Sequence, residues 1–492
     1  MPKSKPTQSN HLKKLVNDYG SASFSTDGHI LYCKICDTKV ASQKRFNVDQ
    51  HISSGKHKRG MERDENLKQS LIKINAVSDG LSIFWMDLCN ALVSANIPLG
   101  KLKNNEFRSF LEKYTHKDIP DESTLRKNYV KECYTRTISS IRDAIDGKKL
   151  WVSIDETTDV DGRYIGNVIV GTFENNNENS MFLLTSEVLE KTNHLTICKL
   201  FDTSMLLLWP NGVQRDNILL FVTDAAPYMN KAATGLKCLY TKMIHVTCVA
   251  HALHRVGEEV RKRYPKADHL ISSVKRIFRK APTRIEYFKM MAPNLALPAQ
   301  PIITRWGTWL KATSYCSENF QVLKDIISAF DCNESTAVTI AQEYFADINM
   351  EIDLAYIKTN FECLGNTITK LEQKGDLLVD SIGHIEAVKE SLSCSTGHIG
   401  SAIFSKFQAI FDKNLGFKKL RIIGKMLSTL DLDNKEICVS DVCHFKRAPI
   451  TSVDVERSFS MYKSVLADNR RSFLFENLKM IFVIYCNSVL NK

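Results

Sequence analysis

Long apolar runs are missing from this 492-residue sequence. Nothing approaches the roughly 18 consecutive apolar residues that a membrane-spanning helix requires, and the stretch at residues 218–222 is typical of the longest. Residues 1–14 are polar and basic and lack the apolar core of a secretory signal. With only 21 glycines and 12 prolines, collagen, coiled-coil and wholly disordered readings fail. Paired cysteines are scarce too. The 14 cysteines are scattered singly except for one close pair, which argues for reduced core thiols rather than a disulfide framework. These absences predict a soluble, intracellular protein with no membrane partner. What remains is ordinary globular material, 43% hydrophobic and 25% charged, at a length that suggests about three domains.

The charge is basic and uneven. Sixty-six Lys and Arg face 55 Asp and Glu, a net +11. Residues 1–75 alone carry 14 basic and 7 acidic side chains. A local positive field raises the affinity and on-rate for phosphate backbones without conferring sequence preference. A solvated tail has the same composition, so charge alone leaves both readings open.

The close cysteine pair opens a metal-ligand pattern. Cys33 and Cys36 precede His51 and His57 in the spacing C-x2-C-x14-H-x5-H. Zinc takes four such ligands in a tetrahedron. The two-residue gap puts both thiolates on one tight turn, and the histidines reach the ion from a short helix that loosens between them. Residues 31–32 suit a strand and 45–52 the helix, with Phe24, Tyr32 and Phe46 as a small aromatic core. Lys39, Lys44, Arg45, Lys56, Lys58 and Arg59 lie on or beside this module, ready for DNA phosphates. The segment resembles a BED-type zinc finger, and is similar to the CGG-triplet-repeat-binding proteins. That resemblance continues through residues 84–89, 95–99 and 107–114, whose apolar spacing is helical. Residues 62–73 are charged, either a helix leaving the finger or a linker.

From residue 149 the texture changes. Residues 150–154 read as a strand that halts at Asp155. Residues 163–173 and 180–189 read as two more strands, 195–208 as a helix, and 218–222 as a buried strand that halts at Asp224. A helix over 228–239, a strand over 243–246 and a helix over 248–261 complete the series. The first three strands suit an antiparallel meander and the later ones parallel crossovers. A mixed sheet with helices on its faces is the arrangement of RNase H-like nucleotidyl transferases, in which Asp155 and Asp224 would share a divalent ion. Each Asp also has a duller role open to it, as a turn former or helix cap.

Further blocks carry a second resemblance. Residues 223–232 (TDAAPYMNKA), Cys248-Val-Ala-His251, Thr304-Arg305-Trp306 and residues 452–460 (SVDVERSFS), followed by 469–471 and 476–478, are similar to hAT-superfamily DNA transposases over nearly the whole chain. The resemblance implies a metal-binding triad of Asp155, Asp224 and Glu456 holding two Mg²⁺ or Mn²⁺ ions. Those ions would activate water or a DNA 3′-hydroxyl and stabilise the leaving oxygen. It places Cys248 and His251 in support beside the active site, where a packed cysteine with a hydrogen-bonded histidine is the alternative. It puts Arg305 on DNA phosphate and Trp306 on an unstacked base; a core tryptophan, with Trp309 at i+3, is the other reading. The carboxy-terminal block would associate subunits into a homo-oligomer or complete the core.

The expected architecture is therefore α+β and multi-domain. It comprises a basic finger at 1–75, a helical linking domain at 76–146, the first part of an RNase H-like core at 147–264, an all-helical insertion at 265–440, and a dimerisation region at 441–492 that completes the core. The expected function is a nuclear, zinc-containing DDE transposase acting on double-stranded DNA. The alternatives are a domesticated DNA-binding regulator without recombination activity, and a metal nuclease without the joining step.

Overall fold

The computed structural model describes residues 8–20, 23–26, 30–36, 38–58, 60–61, 82–173, 180–298, 306–373, 375–429, 439–466 and 474–490. The chain divides into two compact units, residues 1–142 with 202–214, and residues 143–201 with 215–492.

The first unit begins with a helix, Gln8–Tyr19, where composition alone reads as a polar tail. Its Leu12 and Leu15 are buried with Phe24, Leu31, Val40 and Val48, and Val16 and Tyr19 pack against the same cluster. Positions 12, 15, 16 and 19 form one stripe at helical spacing, hidden among Lys13, Lys14, Asn17 and Asp18. Three short antiparallel strands follow, β1 (Phe24–Thr26), β2 (Leu31–Cys33) and β3 (Thr38–Val40), and then the helix Arg45–Ser53. Of the three aromatics expected in this core, Phe24 is buried and Tyr32 half-buried, but Phe46 is 68% exposed. Phe46 is two positions, about 200°, from the buried Val48, on the opposite face of the helix.

Residues 82–145 are helical apart from short turns, the main helices being Ile83–Ser94, Asn105–Thr115 and Val130–Ile145. Ser82 and Asn104 cap the first two, accepting from Trp85 N at 3.4 Å and Phe107 N at 2.9 Å. Met86, Cys89, Leu92 and Val93 bury one face of the first helix, and Cys133 Sγ lies 3.3 Å from Met86 Sδ.

The second unit is built on a five-stranded mixed sheet in the order β6-β5-β4-β7-β8. The strands are β4 (Leu150–Thr158), β5 (Tyr164–Thr172), β6 (Met181–Leu189), β7 (Ile218–Thr223) and β8 (Ile244–Thr247). β4, β5 and β6 form an antiparallel meander; β7 runs parallel to β4, and β8 parallel to β7. Gly171 sits opposite Trp151 because any side chain there would collide with the indole, 2.3 Å from a Cβ. One strand differs from expectation. β4 does not halt at Asp155 but continues to Thr158, since β5 pairs with it as far as Thr158↔Tyr164. Its pairing with β7 stops at Ser153↔Val222. Asp155 therefore lies inside a strand that has lost its partner on one side only.

Both edges of the sheet are closed by asparagine side chains. Asn487, on the helix Phe475–Leu490, accepts from Leu183 N at 3.0 Å and donates to Leu183 O at 2.9 Å. At the far edge Asn414 donates to Thr247 O at 2.7 Å and accepts from Thr247 N at 3.4 Å. Each amide imitates one residue of a further strand and satisfies edge groups that otherwise invite pairing with another chain. Gly416 allows the close approach at β8, where a Cβ would fall 1.8 Å from His245 O.

Between residues 265 and 429 the described residues are helical and contain no strand, from Pro265–Phe278 through the long Ile348–Leu371 to Leu415–Thr429. The chain then returns to the sheet. The helix Val453–Val465 packs on β4 and β5, with Asn167 Nδ2 2.7 Å from Ser458 Oγ, and the helix Phe475–Leu490 packs on β6. The apolar carboxy-terminal residues thus fill the core of this unit.

Candidate metal centres

Two groups of side chains gather metal-ligand atoms within 4.8 Å of one another among the described residues: Cys33, Cys36, His51 and His57; and Cys248, His251 and Glu456.

The first group is assembled locally. Cys33 ends β2, Cys36 follows three residues later in the turn, and His51 lies on the helix Arg45–Ser53. Ser54 then adopts an extended conformation (φ −65°, ψ 144°) before helical backbone resumes at 55–58. That break brings His57 to the same point as His51. His57 Nδ1 lies 3.4 Å from Cys33 Sγ, 3.3 Å from Cys36 Sγ and 3.3 Å from His51 Nε2. A tetrahedron with metal–sulfur bonds of about 2.3 Å and metal–nitrogen bonds of about 2.0–2.1 Å has edges of roughly 3.3–3.6 Å between such atoms. Burial, then the neighbouring Cys33, push the Cys36 thiol up to about 11, and burial holds both imidazoles below their usual range. A divalent cation at the centre reverses the thiol's penalty and favours neutral imidazoles. Lys44, Lys56 and Lys58 are exposed around the group, whereas Arg45 is tied to Asp18. Arg59 lies outside the described residues.

Beside the second group the sheet places two further carboxylates. Continuing the β4–β7 register two residues past Ser153↔Val222 sets Asp155 beside Asp224 on neighbouring parallel strands. Among the described residues each carboxylate accepts one hydrogen bond, through Oδ1: Asp155 from Glu156 N at 2.9 Å, Asp224 from Ala226 N at 3.1 Å. Burial and then the charge of Asp224 push Asp155 well above the usual carboxylate range, opposed by His251. Glu156, raised to about 7 by burial and by Asp224, accepts from the Tyr228 hydroxyl. Such a cluster is relieved either by taking up protons or by holding a cation.

One hydrogen bond joins the segments that follow β7 and β8, and two more hold the chain after β8 to the returning segment. Cys248 N donates to Thr223 O at 2.7 Å, Val249 N to Ile450 O at 2.9 Å, and Ser452 N to Cys248 Sγ at 3.2 Å. The last two fix the start of the Val453–Val465 helix, so that Glu456 Oε1 lies 3.6 Å from His251 Nδ1. Burial opposes the His251 proton, but Cys248, Glu456 and Asp155 together raise it to about 10. Burial raises the Cys248 thiol and His251 more than reverses this, for a net lowering. The structure therefore gathers Asp155, Asp224, Cys248, His251 and Glu456 at one end of the sheet. Arg305 lies outside the described residues, as does the side chain of Trp306, whose backbone begins the helix Trp306–Glu318. Trp309 is buried and donates to Asp268 Oδ1 at 3.1 Å. Residues 469–471 are also outside the described set.

Comparison with known families gives two matches. Residues 120–283 match the domain of unknown function DUF659, which is associated with hAT-family transposases. Residues 9–63 match the CGGBP1 N-terminal domain. This is a transposase-related chain with a CGGBP1-like amino terminus. The chain matches no curated protein. The DUF659 match spans β4 to β8 and carries Asp155, Asp224, Cys248 and His251, while Glu456 comes from beyond it. The CGGBP1-like match includes the Gln8–Tyr19 helix that completes the finger's core. Two participants escape sequence reasoning: Glu156, adjacent to an expected ligand, and Ser452, whose backbone N–H reaches the Cys248 sulfur. Only the paired-strand register signals the first; nothing local signals the second.

Proposed function

We propose that this chain is a hAT-type DDE transposase or a direct derivative of one, acting on double-stranded DNA in the nucleus. The observation that carries the reading is the juxtaposition of Asp155, inside β4 just beyond its pairing with β7, and Asp224, just past the end of β7, with Glu456 brought near them. The strand order, an antiparallel meander followed by two parallel strands beside its first member, supports an RNase H-like core. In this reading residues 1–75 form the finger, 76–146 a linking domain, 147–264 the first part of the core, 265–440 an insertion, and 441–492 the return to the core that also associates subunits.

Cys33, Cys36, His51 and His57 hold a structural zinc, and Lys44, Arg45, Lys56, Lys58 and Arg59 meet the DNA backbone. Asp155, Asp224 and Glu456 hold Mg²⁺ or Mn²⁺, which supplies activation of the attacking oxygen and stabilisation of the leaving one. The carboxylates themselves would supply a half-buried cradle for the ion. Cys248 and His251 position Glu456 through the Ser452 contact and the imidazole. Arg305 and Trp306 hold the DNA end.

The test uses labelled duplexes from the DNA flanking the gene, with Mg²⁺ or Mn²⁺. Wild type yields cleaved and joined products, and Asp155→Asn and Glu456→Gln each lose them by at least a factor of ~10³, as expected when a metal-organising carboxylate is removed. Zinc-dependent binding without cleavage, equal in all three proteins, would instead identify a domesticated DNA-binding regulator. Cleaved but never joined products would identify a nuclease.

A further inference from the structure

The sequence places only two soft ligands, Cys248 and His251, one helical turn apart, and the fold supplies a third. Glu456 enters from the far end of the chain, and its carboxylate, the thiol and the imidazole all lie within 4.8 Å of one another. The geometry at the histidine is not that of a hydrogen bond. Nδ1 stands 3.6 Å from Glu456 Oε1, beyond the ~2.7–3.2 Å of N–H···O pairs. Among the described residues this buried nitrogen has no partner at close hydrogen-bond geometry, its interaction being with the Cys248 thiol. Two atoms bound to one ion by bonds of about 2.0–2.2 Å in a tetrahedron stand roughly 3.4 Å apart. The group is graded from inside outward. Cys248 is 1% exposed, whereas the side chains of His251 and Glu456 are 37% and 29% exposed.

We propose that Cys248, His251 and Glu456 form a second site for a borderline or soft divalent cation of the zinc class, separate from the amino-terminal finger. A thiolate and an imidazole select such ions over Mg²⁺, which prefers oxygen ligands and keeps its waters. Binding takes the thiolate and the neutral imidazole, so whatever protons Cys248 and His251 carry are released to solvent. One consequence rests on the transposase reading: a zinc ion here draws Glu456 away from the carboxylates at Asp155 and Asp224, so zinc inhibits the Mg²⁺-supported reaction. The binding itself does not depend on that reading.

The experiment counts zinc bound to the full chain, dialysed against buffered free zinc, beside Glu456→Gln and Cys248→Ser. The first variant alters a partly exposed side chain without changing its size, and circular dichroism checks the fold of each. Wild type binds two equivalents and each variant one; Cys33→Ser, which breaks the finger, also binds one and retains the second site. A single equivalent in the folded wild type, or two in Glu456→Gln, overturns the site. In the cleavage assay, the zinc concentration that halves each protein's own zinc-free rate rises at least tenfold in Cys248→Ser. Absence of cleavage under every condition refutes the transposase reading, while the zinc count still decides the site.

Discussion

The amino-terminal Cys/His group and the proposed carboxylate site are built in opposite ways. The finger draws its four ligands from residues 33–57, so that turn geometry and one break at Ser54 bring them together. The proposed carboxylate site would draw on residues 155, 224 and 456, which meet only once β4 and β7 are in register and the Val453–Val465 helix is seated. In the finger the ion is a principal source of stability for a core too small to hold itself. In the second unit burial and strand pairing place the acidic residues, and the proposed ion would bind to a fold already formed. Loss of metal is therefore expected to unfold the first and leave the second standing.

The largest effect separates the two directly. Chelation, or Cys36→Ser, removes an apparent binding energy of about 10–16 kcal/mol from the finger. Limited proteolysis should then cut within residues 8–61 while the sheet unit resists. A chain that melts as one piece on chelation breaks the comparison. Next comes Leu15→Ala, which empties part of the finger's core and costs about 2–5 kcal/mol. It should weaken zinc affinity measured by competition with a chelator; an unchanged affinity would return the amino-terminal helix to the status of a solvated tail.

Asn487→Ala acts on the other side of the comparison. It leaves Leu183 N and O without their side-chain partner, at about 1–3 kcal/mol for each unsatisfied group, lowering the urea midpoint of the sheet unit and leaving zinc affinity alone. The smallest effect lies at the β4–β5 turn. Asp159 accepts from Arg163 N and Nε at 2.9 and 2.8 Å and from the Tyr462 hydroxyl at 3.2 Å. Burial alone would raise this carboxyl, but the Arg163 hydrogen bonds and charge hold it below its usual value. A depressed carboxylate stabilises the fold above its unfolded pKa, and that contribution is lost as pH falls through the folded one. Asp159→Asn should lower stability at neutral pH by about 1.5–3 kcal/mol, with the difference from wild type shrinking below pH ~4 in a denaturation series.

The comparison also explains what the sequence discloses. The finger's ligands are readable because their spacing is itself the geometry. The strands are readable as apolar runs bounded by turns, and their order follows from the lengths between them. The extent of β4 is not, because Glu156 and Thr157 are held by β5 and not by their own apolar character. The Gln8–Tyr19 helix is masked by its lysines, although Leu12, Leu15, Val16 and Tyr19 carry the stripe. Phe46 misleads because aromatic character suggests a core, whereas helix phase decides burial. Glu456 is a solvated helix residue by every local criterion, and only family resemblance singles it out. Its meeting with His251 depends on the Val249–Ile450 and Ser452–Cys248 contacts, which no local pattern encodes.

The central claim is that Asp155, Asp224 and Glu456 make one divalent-ion site. Mn²⁺ binding to the zinc-loaded full chain, followed by electron paramagnetic resonance, tests it most directly. Wild type should take up Mn²⁺, with affinity falling at least tenfold in Asp155→Asn, Asp224→Asn and Glu456→Gln alike. Mn²⁺ uptake that is absent from wild type, or unchanged in any of the three folded variants, would contradict the account.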